Sequence, residues 1–139
     1  MSRTGFLATL LTATLLSGGA WAETIHFHAT MTPGAEVPPK TSSGSGDALA
    51  TLDTVTKKLD YTVTYKDLTG PATMAHFHGP AATGVNAGVV VPFKVSPSPI
   101  SGSATLTDAQ IADLVAGKWY ANVHTAANPG GEIRGQMEK

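Results

Sequence analysis

The sequence predicts an all-β protein: an antiparallel β-sandwich or flattened Greek-key-like barrel with one short helix at about residues 107–116. Three observations carry this. Apolar and polar residues alternate with period two in one short run after another from residue 24 onward, as strands with one buried face require. Glycine and proline, 15 and 9 of 139 residues, cut those runs into pieces of strand length. A single segment departs from this and repeats with the helical period.

Taken in order, "TIHFHATM" (24–31) places Ile25, Phe27 and Ala29 on one face and His26, His28 and Thr30 on the other. "TPGAEVPPKTSSGSG" (32–46) is too rich in Pro, Gly and Ser for regular structure and reads as a loop. "DALATLD" (47–53) follows as a strand. "KLDYTVTYK" (58–66) is the clearest strand, with Leu59, Tyr61, Val63 and Tyr65 opposed to Lys58, Asp60, Thr62, Thr64 and Lys66. "TMAHFHG" (73–79) puts Met74, His76 and His78 on one face. "AGVVVPF" (87–93) is a β-branched run closed by Pro92, and "GSATLT" (102–107) is a weaker strand.

In "TDAQIADLVAG" (107–117), Thr107 and Gln110 form a capping-box signature. Ile111, Leu114 and Val115 make an apolar stripe, and Gly117 supplies the stop. "KWYANVHT" (118–125) returns to strand, with Tyr120, Asn122 and His124 on one face. "NPGG" (128–131) is a turn before the last strand, "EIRGQM" (132–137). Arg134 is expected to pair with Glu132 or Glu36 in a structural ion pair. Seven or eight such strands with regular turn signals suit a sandwich.

Residues 1–22 read as a cleaved secretory signal. Arg3 gives a positive start, "FLATLLTATLL" (6–16) is apolar and uncharged, and Ala20-Trp21-Ala22 is a small-x-small cleavage pattern. The apolar stretch is short for a bilayer span; the alternative is an uncleaved N-terminal anchor. Residues 23–139 then form a single domain, exported to the periplasm or secreted, with no membrane association after cleavage. Without Arg3 that chain has 8 Lys and Arg against 10 Asp and Glu, a net charge of about −2. No basic face points to nucleic acid. The chain has no cysteine. Its stability therefore comes from packing, alone or with a metal, and a metal site would use His, Met, carboxylate or backbone.

Four of the five histidines lie in two copies of His-Phe-His, and the fifth is His124. Residues i and i+2 of a strand share a face, so each copy sets two imidazoles side by side and turns its Phe the other way. His76, His78 and His124 are candidate metal ligands, with His26, His28 and Met74 as possible further ones. If 24–31 pairs with 73–79, four imidazoles line one surface. The alternative is that the histidines are hydrogen-bonded groups holding loops at one end of the sandwich. No phosphate-cradling loop, nucleophile elbow or paired acid–base carboxylates occur.

"GAEVPP" (34–39), "GSGDALATLD" (44–53), "LDYTVTYKDLTGPATMAHFHGPA" (59–81) and "LTDAQIADLVAGKWYANVHTAANPGGEIRGQM" (106–137) together resemble the CHRD domain, named for chordin. The resemblance spans essentially all of 23–139 and implies a β-rich, extracytoplasmic domain. In chordin such domains lie in a secreted protein that binds growth factors; in bacteria they occur as small stand-alone exported proteins. The family pattern of His-x-His before Gly-Pro-Ala is matched by His76, His78, Gly79, Pro80 and Ala81, and its Asn-Val-His-Thr histidine by His124. His26 and His28 fall outside that pattern. The layout is also similar to copper–zinc superoxide dismutase, where a His-x-His strand supplies copper ligands. Fold likeness alone does not carry function.

The sequence is thus expected to encode an exported copper-binding protein, for sequestration or delivery, with Cu(I) or Cu(II) favoured over zinc. Copper rests on the Met, the lack of Cys and the Irving–Williams order. It is not expected to be an enzyme, since no Lys/Arg cluster near the histidines would guide a substrate to a superoxide dismutase-like centre. The other reading is a protein-interaction module with structural histidines. A protein partner or a homodimer is compatible with either.

Overall fold

A computed structural model describes residues 21–139; nearly all of the predicted signal segment lies outside the described residues. Eight strands and one helix follow in the order β1 Thr24–Met31, β2 Ser45–Asp53, β3 Lys58–Lys66, β4 Ala72–His78, β5 Val89–Pro92, β6 Ile100–Thr105, α1 Asp108–Val115, β7 Tyr120–Thr125 and β8 Ile133–Gln136. They form two four-stranded antiparallel sheets, β1-β2-β3-β6 and β5-β4-β7-β8. The all-β sandwich predicted from the alternation is the observed fold. Two isolated bridges, His28 with Glu138 and Thr32 with Arg134, tie the β1 edge of the first sheet to the β8 side of the second.

Period two decides what enters the core. On β3, Leu59, Tyr61 and Val63 are buried while Lys58, Asp60 and Thr64 face water. Both His-Phe-His copies obey the same rule. Phe27 and Phe77 enter the common core from opposite sheets, and each pair of histidines is turned outward. Phe77 packs edge-on against Tyr61 at 5.5 Å and Phe93 at 4.7 Å between ring centroids. Fully burying such a side chain contributes about 1.5–3 kcal/mol.

The capping box at α1 is formed as predicted. The Gln110 amide N–H donates to Thr107 Oγ1 at 3.2 Å, and the Thr107 N–H donates to Gln110 Oε1 at 2.9 Å. Leu114 is the one residue of the helix fully turned into the core. Among the described residues no helix is long and apolar enough to cross a membrane. Strand bounds move where backbone groups find other partners. β5 begins at Val89 instead of 87, because the Ala87 carbonyl accepts from side chains and Gly88 carbonyl accepts from the Gly79 N–H. β6 starts two residues before the predicted 102, at Ile100, which pairs with Val63 and is fully buried.

The outer face of the second sheet is not a solvent face. Segments 33–40 and 79–88 lie over it, and all six residues of β7 are buried. Arg134 fastens the 79–88 segment, donating to Asn86 Oδ1 at 2.8 Å and to the Val85 carbonyl at 2.7 Å. Its Cζ also lies 3.5 Å from the centroid of the Tyr120 ring. The expected ion pair with Glu132 or Glu36 does not form: among the described residues the ion pairs are Lys57–Asp108 and Lys58–Asp60. Glu132 instead accepts from Thr69, Thr125 and Asn128, which satisfy a buried carboxylate as neutral donors.

Candidate metal centre

On β4 the outward residues are Met74, His76 and His78; on β7 they are Tyr120, Asn122 and His124. The antiparallel register sets Met74 opposite His124, His76 opposite Asn122 and His78 opposite Tyr120. Three imidazoles from two strands are thereby brought together: one ring nitrogen from each of His76, His78 and His124 lies within 4.8 Å of the others. His76 Nδ1 is 3.2 Å from His124 Nε2.

The environment fixes which nitrogens face the centre. His78 Nδ1 donates to the Ala87 carbonyl at 2.9 Å, and His124 Nδ1 donates to the Pro129 carbonyl at 2.8 Å. A neutral imidazole has one N–H, so each Nε2 is left with a bare lone pair. Both point inward, and Asn122 Oδ1 lies 3.0 Å from each. The His78 ring also stacks on Tyr120, 4.7 Å between centroids and 2° from parallel. The Tyr120 hydroxyl donates to the same Ala87 carbonyl at 3.1 Å and accepts from the Ala87 N–H. Ring tilt and tautomer of His78 are therefore set by a stack on one side and a shared carbonyl on the other.

Electrostatics favour the neutral, ligating form. Burial pushes the His76 imidazole below its usual range, and the neighbouring His124 and His78 lower it further. Burial likewise pushes His78 down, outweighing the hydrogen bonds that its protonated ring would donate to the Ala87 carbonyl and the Asn122 oxygen, which would raise it. Glu36, 4% exposed, stands behind Asn122. Burial raises its carboxyl above the usual range, while Arg134 and the Asn122 amide draw it down.

His26 and His28 are elsewhere. β1 pairs with β2 through eight consecutive residues, with His26 opposite Thr51 and His28 opposite Leu49, and not with β4. Both rings face solvent on the outer side of the other sheet, and His26 Nδ1 sits 3.2 Å from Thr51 Oγ1. The single surface of four imidazoles is thus not built: Phe27 enters the core from the sheet opposite Phe77, which sends the two histidine pairs in opposite directions. Met74 lies on the right face but is 44% exposed.

Several parts of the site escape a reading of motifs. The Ala87 and Pro129 carbonyls carry no side-chain signal, and Glu36 sits in a loop distant in sequence. Asn122 was visible only as a residue on the face of His124.

Fold and site together define a small antiparallel sandwich carrying a histidine cluster under loops on one outer face. The chain belongs to the CHRD domain family, whose model matches residues 27–137. No curated protein and no solved structure matches it.

Proposed function

We propose that this protein binds a copper ion through His76, His78 and His124, and that it sequesters or delivers copper outside the cytoplasm. One observation carries the reading. Two buried imidazoles are each anchored through Nδ1–H to a backbone carbonyl, and their free Nε2 lone pairs converge with His76 Nδ1 on one point. This is the outer-shell arrangement that holds histidine ligands in a set tautomer and orientation. A histidine serving only as a structural hydrogen-bonding group would use both nitrogens; here the second nitrogen of His78 meets an acceptor oxygen, and that of His124 meets the same oxygen and His76 Nδ1.

Three imidazoles suit copper and zinc, and the Irving–Williams order favours Cu(II) among the divalent ions. When bound, copper would supply a single cation among these lone pairs; the protein supplies fixed neutral donors and a covering layer of loops. The segment before Glu23 supports export to the periplasm or beyond, which intact-mass measurement of the exported protein tests by an N-terminus at Glu23. A role as store or carrier, not enzyme, fits the burial of Arg134, the cation whose charge acts on His78: held by Asn86 and the Val85 carbonyl, it offers no surface guide to a charged substrate. Titration of metal-free protein with Cu(II), and with Cu(I) under a competing chelator, is expected to show saturable binding tighter than micromolar at one ion per chain. Absence of such binding with both ions overturns the reading.

A further inference from the structure

The geometry points to Asn122 as the fourth donor of this centre: its side-chain oxygen, presented by Glu36, completes a set of three nitrogens and one oxygen that selects Cu(II) over Cu(I). This rests on the metal reading above and goes beyond it in naming a ligand and an oxidation state.

Asn122 is 3% exposed, and its Oδ1 lies 3.0 Å from both His78 Nε2 and His124 Nε2. Neither nitrogen can donate to it, because both rings have already placed their one proton on Nδ1 toward a carbonyl. With His76 Nδ1 as the ligating atom, that ring carries its proton on Nε2, so its approach to His124 Nε2 at 3.2 Å adds a third lone pair to the cluster. The oxygen is therefore a buried acceptor facing lone pairs, an arrangement that costs free energy unless a cation sits among them. The spacings fit one. With bonds of about 2 Å, donors at neighbouring corners of a tetrahedral site lie about 3.3 Å apart. Three of the six donor pairs lie 3.0, 3.0 and 3.2 Å apart, and the three ring nitrogens all lie within 4.8 Å of one another.

The orientation of the amide has a cause of its own. A Cβ added at Gly131 would meet Asn122 Nδ2 at 2.8 Å and also Glu36 Oε1, so the NH₂ end of the amide and the Glu36 carboxyl share one tight space. A carboxylate accepts and does not donate. The Asn122 amide acts on Glu36 as a hydrogen-bond donor that lowers its pKa, so the NH₂ end faces the carboxyl and the oxygen faces the histidines. Glu36 is thus a positioning residue, five strands away along the chain from the Asn122 amide it orients. A carboxamide oxygen is a harder donor than imidazole or thioether and adds affinity for a divalent ion more than for Cu(I). Met74, exposed at the rim, is not needed to complete the set.

Residues 23–139 are titrated with Cu(II) and with Cu(I) as wild type, Asn122→Leu and Asn122→Asp. The Leu variant is expected to lose at least about tenfold in Cu(II) affinity, on the scale of removing a group that supports a metal site. Its Cu(I) affinity should be unchanged, and the Asp variant should keep Cu(II) binding by supplying an oxygen at the same place. A wild type that binds neither ion defeats the centre itself. A wild type that binds, with a Leu variant unchanged in Cu(II) affinity and Cu(II) electron paramagnetic resonance spectrum, defeats the role of Asn122 alone. Should the Leu variant not fold, wild type grown with asparagine isotopically labelled at the carboxamide carbon decides the point. Pulsed paramagnetic resonance should then show a hyperfine coupling from that carbon to Cu(II), and its absence overturns the assignment.

Discussion

In the proposed centre, a histidine is set apart as a ligand by what its second nitrogen does. His78 and His124 differ from His26 and His28 in this respect as well as in exposure: their Nδ1 atoms are committed to backbone carbonyls, while His26 Nδ1 faces only a threonine hydroxyl at the surface. Substituting His78 or His124 by Ala is accordingly expected to lower copper affinity by at least about tenfold. The double variant His26→Ala/His28→Ala should leave it unchanged; competition titration with a copper chelator reads both, and loss of binding in the double variant would contradict the separation of the two faces. Gly131 is the second residue on which the site turns. Its φ of +123° is one that side chains rarely adopt, and a Cβ there would enter the space of Glu36 and Asn122. Gly131→Ala should cost about 1–3 kcal/mol from backbone strain alone. Chemical denaturation measures the loss, and a stability equal to wild type would show that the turn relaxes freely.

At the scale of elements, the centre depends on two adjacent strands and on the turn that follows one of them. β4 and β7 set the three histidines in register, and the 125–131 turn carries the Pro129 carbonyl that anchors His124. That turn is braced by Glu132. Its carboxylate accepts from Thr69 Oγ1 and Thr125 Oγ1 at 2.6 Å each, from the Thr69 N–H at 2.9 Å and from Asn128 Nδ2 at 3.2 Å. Burial alone would raise its pKa, but these bonds outweigh burial and hold the carboxyl at about 2. Because the folded value is depressed below 4.5, the stabilisation is complete above that pH and is lost as pH falls toward 2. Glu132→Ala strands several buried donors and should cost on the order of 3 kcal/mol. It should also weaken copper binding, since the Pro129 carbonyl loses its fixed place. Thermal unfolding and titration of the same variant report the two effects, and a fall in stability with copper affinity intact would show that the turn and the centre are uncoupled.

For the whole molecule, the sandwich keeps neutral imidazoles beneath loops, and this ties folding to pH. The His76 and His78 pKa values are depressed below 6.5 by burial, so the unfolded chain takes up their protons first as pH falls. Stability from these two groups is full above about 6.5 and declines below it. Copper bound as proposed would stabilise only the folded state and compete with the same protons, so the copper-loaded protein should show a steeper fall in melting temperature below that pH than the metal-free protein. Melting curves of both forms from neutral to mildly acidic pH test this. Parallel pH profiles would mean that the histidines do not hold the ion.

The alternation of side chains determined, from the sequence alone, which residues of each strand turn inward. It also fixed the helix at Thr107, through a capping interaction that spans three residues, and the outward direction of every histidine in a His-Phe-His. Such features depend on neighbours close in the chain, whose spacing a sequence displays. Which strands lie side by side was decided only by the tertiary structure, because period two is the same for every strand and does not distinguish β2 from β4 as a partner for β1. That choice separated two identical tripeptides, sending one to each sheet. It also brought Glu36, Asn122 and two backbone carbonyls to the imidazoles that remained together, since their approach depends on how loops cross a sheet and on contacts far apart in the chain.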